Sequence, residues 1–247
     1  MRQVGVAGAV ALAFAGIACG GLTVQYAFDA GGSNPHGIAG MSAAATFDAA
    51  GDQLVITLKN TSTGAPPGAE AADVLLASLG FNLGEGFLIV SGDSALIGAG
   101  SSGVGLWDGL LGGDSVGDQW LWKNSGGADV LASFTQVIST NNSNGGVGTT
   151  SFTGKVDPDV GDPFGGMAAD PVVLEIPTDE PAVSDSIVFA LTLSDPITSK
   201  SQLWDLAHGS VVEFGQGYQY LSVIPIPSPA VWPGVMVLAG MARRRRR

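Results

Sequence analysis

The sequence predicts a mainly β protein, an antiparallel β-sandwich or jelly-roll-like single domain. In two segments, 53–60 and 186–193, large apolar residues recur at every second position, the period of two that is typical of half-buried strands. Gly and Pro supply 38 and 13 of the 247 residues, and turn residues at this frequency interrupt long helices. Many short strands separated by turns favour a sandwich or a jelly roll, with a short apolar segment flanking it at each end.

The first 18 residues predict a signal peptide. Arg2 supplies a positive charge, residues 4–17 are small or apolar, and Gly16-Ile17-Ala18 gives the small-x-small pattern of a cleavage site. We therefore expect export and cleavage by signal peptidase. Cys19 leaves a second interpretation open, namely lipoprotein processing in which Cys19 becomes the acylated first residue.

Strands dominate the predicted domain, residues 22–223. Residues 45–47, a turn at 50–52 and residues 53–60 predict a β-hairpin whose apolar residues share one face. Residues 186–193 repeat this alternation. Weaker strand patterns lie at 87–90, 130–138, 172–176, 211–214 and 218–223, Gly-rich loops at 98–117 and 140–148, and short helical patterns at 69–79 and 201–207.

The charge of the domain differs from that of its ends. Six of the ten basic residues lie at the ends, which leaves Lys59, Lys123, Lys155 and Lys200 against 22 acidic residues, a difference of −18. Nucleic acid is therefore not expected as a partner, because binding to phosphates needs a basic surface. An acidic surface stays hydrated and can take up divalent cations.

The sequence offers few groups for catalysis. Cys19 is the single cysteine, so the predicted domain has no disulfide, thiolate metal site or Cys nucleophile. His36 and His208 are the two histidines, and neither belongs to a zinc or triad pattern. Carboxylates for glycoside hydrolysis are abundant, but nothing singles out a pair. We expect a protein that is not an enzyme and has no cofactor other than calcium.

Calcium is the ligand that an acidic loop of the domain suggests. Asp157, Asp159 and Asp162 lie in a segment bent by Pro and Gly, and hard oxygen ligands at such spacing suit Ca²⁺. The loop lacks the bidentate Glu of an EF-hand. In the alternative interpretation, these Asp residues form turns through their side-chain caps. A looser set of the same kind comprises Asp108, Asp114 and Asp118.

Three tryptophans suggest contact with sugars. Trp107, Trp120 and Trp122 lie near carboxylates in the sequence, and an aromatic face beside a carboxylate suits the apolar and polar sides of a sugar. Trp120 and Trp122 are two residues apart, so on a strand they share one face. This arrangement fits a ligand-binding platform, and it equally fits a hydrophobic core.

The segment after the domain, residues 224–247, consists of three blocks. Pro225, Pro227, Ser228 and Pro229 belong to an extended, Pro-rich stretch. Residues 230–242 carry no charge, and these 13 residues are fewer than the about 20 that a transmembrane helix needs. Five arginines, which lipid does not admit readily, follow the apolar block. They are Arg243, Arg244, Arg245, Arg246 and Arg247. We expect a marginal transmembrane segment with a stop-transfer end.

This order of blocks resembles the PEP-CTERM sorting domain of exosortase-dependent surface proteins. Pro227-Ser228-Pro229 would occupy the Pro-x-Pro motif of that family, with Ser228 where the usual pattern has Glu, and Pro225-Ile226-Pro227 offers a second register. The resemblance implies recognition and cleavage by a membrane-embedded, exosortase-like peptidase in a Gram-negative-type envelope. Residues 45–64, 71–75 and 81–83 also resemble the opening hairpin of ectodomains that carry such tails.

The sequence therefore predicts an exported, non-enzymatic protein of the cell surface or extracellular matrix, anchored transiently by its C-terminal segment. The alternative is a calcium-assisted module that binds extracellular polysaccharide. Both can hold together, because a matrix component has reason to bind matrix. A hydrolase is a third interpretation, and it requires a catalytic carboxylate that the sequence does not single out.

Overall fold

Most of the described chain forms strands, as the alternating pattern predicts. The structure, a computed structural model, describes residues 21–29, 40–64, 68–158, 164–169, 176–217 and 219–224. Within these ranges the strands are β1 (Leu22–Asp29), β2 (Ser42–Asn60), β3 (Leu76–Phe81), β4 (Ile89–Ile97), β5 (Gly103–Gly105), β6 (Leu121–Lys123), β7 (Gln136–Ser139), β8 (Thr150–Ser151), β9 (Met167–Ala168), β10 (Pro181–Ser184), β11 (Ser186–Ile197), β12 (Val211–Phe214) and β13 (Gln219–Ile224). The helices of the same ranges are α1 (Lys200–His208) and 3₁₀ segments at Ala71–Val74, Asp129–Ser133 and Asn142–Asn144. The prediction of a mainly β protein is confirmed.

Strand β2 folds back on itself as the predicted hairpin. The Thr61 amide donates to the Ser42 carbonyl at 2.9 Å and the Thr63 amide to the Gly40 carbonyl at 2.8 Å, so the two arms are antiparallel. The arms meet at Gly51, whose φ of 65° lies in the left-handed region that glycine adopts without a steric penalty. Every second residue of each arm is buried, so both arms turn their apolar face towards the core.

The first sheet forms around this hairpin in the order β4-β11-β2-β1-β13. Strand β11 lies between β2 and β4, and its Phe189 pairs with Ile56 on one side and with Ala95 on the other. Its large apolar residues Ile187, Phe189, Leu191 and Leu193 are buried, as the sequence predicts for 186–193, and Ser186 and Ala190 of the other face are buried too. Strand β1, which the sequence analysis did not single out, pairs along its whole length with the first arm of β2.

Strand β13 connects the first sheet to the second. Its Val223 and Ile224 pair with β1, whereas residues 219–222 pair with β12. The second sheet continues in the order β12-β3-β7-β6-β8. Strands β9 and β10 pair in parallel at its margin, so the sheets of the described residues are mixed and the purely antiparallel expectation needs this correction.

The two sheets pack face to face through aromatic side chains. Phe47 of β2 contacts Phe81 of β3 with ring centroids 6.4 Å apart, and Trp120 contacts Phe189 of β11 at 4.8 Å. All four side chains are fully buried. A single β-sandwich-like domain fits this arrangement.

The predicted helix at 69–79 is wrong for most of its length. Residues 71–74 form a single 3₁₀ turn, and β3 begins at Leu76. All six residues of β3 are buried. Leu76, Leu79 and Phe81 belong to the main core cluster, whereas a Cβ on Gly80 would lie 2.8 Å from Leu131 and 2.9 Å from Phe134 of a separate apolar cluster. The helix prediction is wrong because the hydrophobic period of a short run that is apolar on both faces does not distinguish a strand from a helix.

Three of the weaker strand patterns have different outcomes from the two that match. Strand β12 coincides with the pattern at 211–214, and β13 matches the pattern at 218–223 to within one residue at each end. The pattern at 87–90 marks only the start of β4. The pattern at 130–138 combines a 3₁₀ segment with β7. Residues 172–175 of the pattern at 172–176 lie outside the described residues.

Helix α1 confirms the helical pattern at 201–207. The Ser199 side chain accepts a hydrogen bond from the Gln202 amide, and the Gln202 side chain accepts one from the Ser199 amide, so the helix begins with a capping box. Its buried face carries Leu203, Leu206 and Ala207. The helix packs on β1, where the Tyr26 hydroxyl donates to the Trp204 carbonyl at 3.1 Å.

Candidate functional site

Two of the three candidate sugar-binding tryptophans belong to the core. Trp120 has no exposed surface and Trp122 is 9% exposed. The Trp120 indole N–H donates to the Gly165 carbonyl at 3.0 Å. These rings are therefore not available on the surface as a stacking platform, and the core interpretation of the pair describes them.

Trp107 is more exposed than Trp120 and Trp122. It is half-buried at the turn 106–109 and packs against the main core cluster. The backbone there is tight, because a Cβ on Gly103 would lie 2.0 Å from the Trp107 carbonyl oxygen. Trp107 thus helps to close one side of the domain.

Asp157, the described member of the predicted calcium loop, has a structural role at a bend in the chain. Its φ is 48°, and its Oδ1 accepts a hydrogen bond from the Gly148 amide at 3.0 Å. Asp159 and Asp162 lie outside the described residues. Among the described residues, no group of three His, Cys, Asp or Glu side chains is placed to hold a metal ion. The calcium prediction stays a prediction.

One residue of the looser acidic set and one histidine make contacts that the structure describes. Asp114 accepts a hydrogen bond from the Leu111 amide at 2.8 Å, as a turn-forming Asp does. His208 is exposed at the end of α1 and stacks on Trp204 with ring centroids 6.1 Å apart. His36 lies outside the described residues.

A buried carboxylate that the sequence analysis did not single out lies in the second sheet. Glu213 of β12 is 1% exposed. Its Oε1 accepts hydrogen bonds from Asn141 Nδ2 at 3.2 Å, the Gly217 amide at 3.0 Å and the Tyr220 hydroxyl at 3.1 Å. Its Oε2 accepts from Asn144 Nδ2 at 2.8 Å and from Ser78. We call these residues the Glu213 cluster.

Two opposing effects act on the pKa of Glu213. Burial raises its pKa above the ordinary value, and the hydrogen bonds from Ser78, Asn144, Gly217 and Tyr220 oppose that rise. Burial and the nearby Glu213 charge raise the pKa of Tyr220. One signal in the sequence could have indicated this cluster. Glu213 lies between Val212 and Phe214 in an otherwise apolar strand pattern, and a Glu is rarely buried in a strand unless other groups pair with it.

A cleft of about 300 Å³ lies between α1 and the loop that follows β3. Its polar lining comprises Asn82, Gln202 and Asp205, and its apolar lining comprises Leu83, Phe87, Ile197 and Leu206. Asp205 lies close enough to Tyr26 that its charge adds to burial in raising the pKa of Tyr26 to about 12. These residues are far apart in the sequence, so no motif indicates the cleft.

The predicted processing segments lie outside the described residues. These are the signal peptide at 1–18, Cys19, the Pro-rich motif at 225–229, the apolar block at 230–242 and the arginines at 243–247. In the part of the chain that the structure describes, no helix is long and apolar enough to span a membrane.

Comparisons with family models, with curated proteins and with solved structures found no match to this chain.

Proposed function

We propose that this chain is an exported, non-enzymatic protein of the cell surface or extracellular matrix, sorted through its C-terminal segment. The observation that carries the proposal is the order of three blocks in residues 224–247: a Pro-rich motif, an uncharged apolar segment and five arginines. A membrane treats each block differently, because apolar residues enter lipid whereas arginines hold the segment at the surface.

The N-terminal sequence supports export independently of the tail. Residues 1–18 combine a positive start, an apolar run and a small-x-small end. The domain that follows has no cysteine after Cys19, so it depends on no disulfide for its stability. In this proposal signal peptidase removes residues 1–18, and Cys19 becomes the first residue, which is acylated in the lipoprotein alternative.

The β-rich body supports the proposal through its surface and its packing. Residues 22–223 would form one jelly-roll-like ectodomain, presented outside the cell while the tail anchors it transiently. With four lysines against 22 acidic residues, its surface suits a hydrated extracellular layer and not a polyanion.

Intact-mass analysis of protein recovered from its native cell surface tests this proposal. We expect the mass to lack both ends, with the C-terminal cut near residues 225–229. Replacing Arg243–Arg247 by Ser should leave the tail uncut, because the segment then loses its stop-transfer charge. Replacing the same residues by Lys is the matched control and should preserve processing. Recovery of the unaltered protein with a mass that still includes Arg247 would show that the tail is not a sorting signal.

The two Pro-x-Pro registers can be separated in the same assay. Pro229→Ala removes only the 227–229 motif, and Pro225→Ala removes only the 225–227 motif. If the peptidase reads the register of Pro227-Ser228-Pro229, the first variant accumulates uncut protein and the second is processed normally. The reverse pattern would assign recognition to the other register.

A further inference from the structure

The cleft beside α1 presents hydrogen-bonding groups that the fold leaves without partners. Asn82 Oδ1 accepts from the Thr135 amide at 2.8 Å, whereas its Nδ2 has no partner among the described residues. Gln202 Oε1 accepts from the Ser199 amide at 3.0 Å, and its Nε2 has none within the same ranges. The Asp205 carboxylate is likewise unpaired in the described part of the chain. Each amide is held at its oxygen and offers its N–H₂ group.

The wall opposite α1 is fixed from behind. Gln136 of β7 is 1% exposed. Its Oε1 accepts from the Leu83 amide at 2.7 Å, and its Nε2 donates to the Phe87 carbonyl at 3.4 Å. One buried amide therefore holds both ends of the loop 83–87. A preformed wall lowers the entropy that a ligand would lose in ordering it.

The floor of the cleft is apolar. Leu83, Ile197 and Leu206 are 5%, 5% and 3% exposed, and Phe87 is half-buried beside them. The cleft thus combines a hydrophobic floor and an aromatic ring with two amide donors and one carboxylate acceptor at the rim. Small-molecule sites have this composition, and their volumes begin at about 300 Å³.

The lining selects among ligand classes. A purely apolar ligand would take the two amides and Asp205 out of water without replacing their hydrogen bonds, which opposes binding. An anion would meet the Asp205 charge with no cationic side chain in the lining. A metal ion would find only one carboxylate, whereas Ca²⁺ takes 6–8 oxygen ligands. A polyhydroxylated ring offers C–H faces to the floor and hydroxyl groups that both donate and accept.

We propose that this cleft binds one or two sugar residues of a neutral polysaccharide. Asp205 accepts hydrogen bonds from sugar hydroxyls, Asn82 and Gln202 donate to sugar oxygens, and Phe87 contacts a C–H face. The proposal places a polysaccharide contact at residues to which the sequence analysis assigned no ligand, instead of at Trp120 and Trp122. It does not depend on the sorting tail, so failure of one proposal leaves the other intact.

Calorimetric titration of the full chain, kept in a detergent without a sugar headgroup, tests this site. The probes are trisaccharides of glucose, galactose, mannose and N-acetylglucosamine. Asp205→Asn removes the charged acceptor, and Gln202→Glu keeps an oxygen for the helix cap while replacing the unpaired donor. The matched controls are Asp179→Asn and Gln216→Glu, at exposed residues that do not line the cleft.

We expect the unaltered protein to bind at least one of the four probes. The affinity of each cleft variant for that probe should be lower by a factor of about ten or more, and a factor of ten corresponds to about 1.4 kcal/mol. The control variants should bind with unchanged affinity. Melting temperatures measured for all variants separate loss of binding from loss of folding, and if one cleft variant unfolds, the other provides the test. The proposal is overturned if no probe binds at about 10 mM, or if the folded cleft variants bind as tightly as the unaltered protein.

Discussion

At the scale of single residues, Glu213 is the side chain whose environment constrains substitution most. All five groups that contact its oxygens donate hydrogen bonds, and the Gly217 amide and the two Asn Nδ2 groups cannot accept in return. A carboxylate, with acceptor oxygens only, matches such a cluster. The cluster joins β12 to β3 through Ser78 and to the segment 141–144.

Glu213→Gln should therefore destabilise the domain. The new NH₂ group would face at least one N–H donor, and leaving a buried polar group unsatisfied costs about 1–3 kcal/mol. Denaturant unfolding at pH 7 measures the change. Glu85→Gln, at an exposed turn, is the matched control and should change the free energy of unfolding by less than about 0.5 kcal/mol. Equal stability of the two variants would contradict the assigned role of the cluster.

The same residue predicts a pH dependence with a definite sign. Because burial raises the pKa of Glu213 above its ordinary value of 4.5, the folded state takes up this proton at a higher pH than the unfolded state does. The stabilisation from protonation is therefore complete below 4.5 and is lost as the pH rises through the folded-state pKa. The difference in unfolding free energy between the unaltered protein and Glu213→Gln should grow as the pH falls from 7 towards 4.5. A difference that shrinks over this range would mean that the hydrogen bonds outweigh burial.

At the scale of elements, the turn of the β2 hairpin allows the effect of backbone strain on stability to be measured apart from the effect of packing. Gly51 has a φ of 65°, and a Cβ there would meet nothing within 4 Å. Gly51→Ala should thus destabilise the domain through the left-handed backbone alone, by about 1–2 kcal/mol. Gly51→Asn should cost less, because Asn tolerates this conformation. Urea unfolding of both variants gives the comparison.

Gly64 provides the control for that series. A Cβ at Gly64 would also meet nothing within 4 Å, but its φ lies outside the left-handed region. Gly64→Ala should be neutral or stabilising by up to about 1 kcal/mol, because it restricts the unfolded chain. If Gly51→Ala and Gly64→Ala had the same effect, the hairpin turn would not be the source of the strain.

Elements also show what could be predicted from the sequence. The strands at 53–60 and 186–193 could be predicted because one face of each contacts the core and the other is less buried, which leaves a period of two. Strand β3 could not, because both of its faces are covered. The cleft could not be predicted for a different reason. Asn82 and Asp205 are far apart in the sequence, and they line one cleft only after β1, β3 and α1 have packed. Tertiary burial likewise distinguishes Glu213 from the other acidic side chains that the structure describes.

At the scale of the whole molecule, charge repulsion should govern stability. The chain has a net charge of −12. Among the described residues the structure has one salt bridge, between Lys59 Nζ and Asp185 Oδ1 at 2.9 Å, and both side chains are partly exposed. An exposed pair contributes about 0–1 kcal/mol, so it does not offset the repulsion among the remaining carboxylates.

The melting temperature should therefore rise with salt. Raising NaCl from about 10 to about 150 mM shortens the Debye length from about 30 to about 8 Å and screens this repulsion. A variant with Glu85, Asp118 and Asp179 neutralised to their amides should melt higher at low salt and respond less to NaCl. Loss of Arg2 and the five terminal arginines would take the net charge from −12 to −18, so protein processed at both ends should show the steepest dependence. A melting temperature that falls with NaCl would mean that attractive pairs dominate the surface, and the acidic body would then not act as a self-repelling shell.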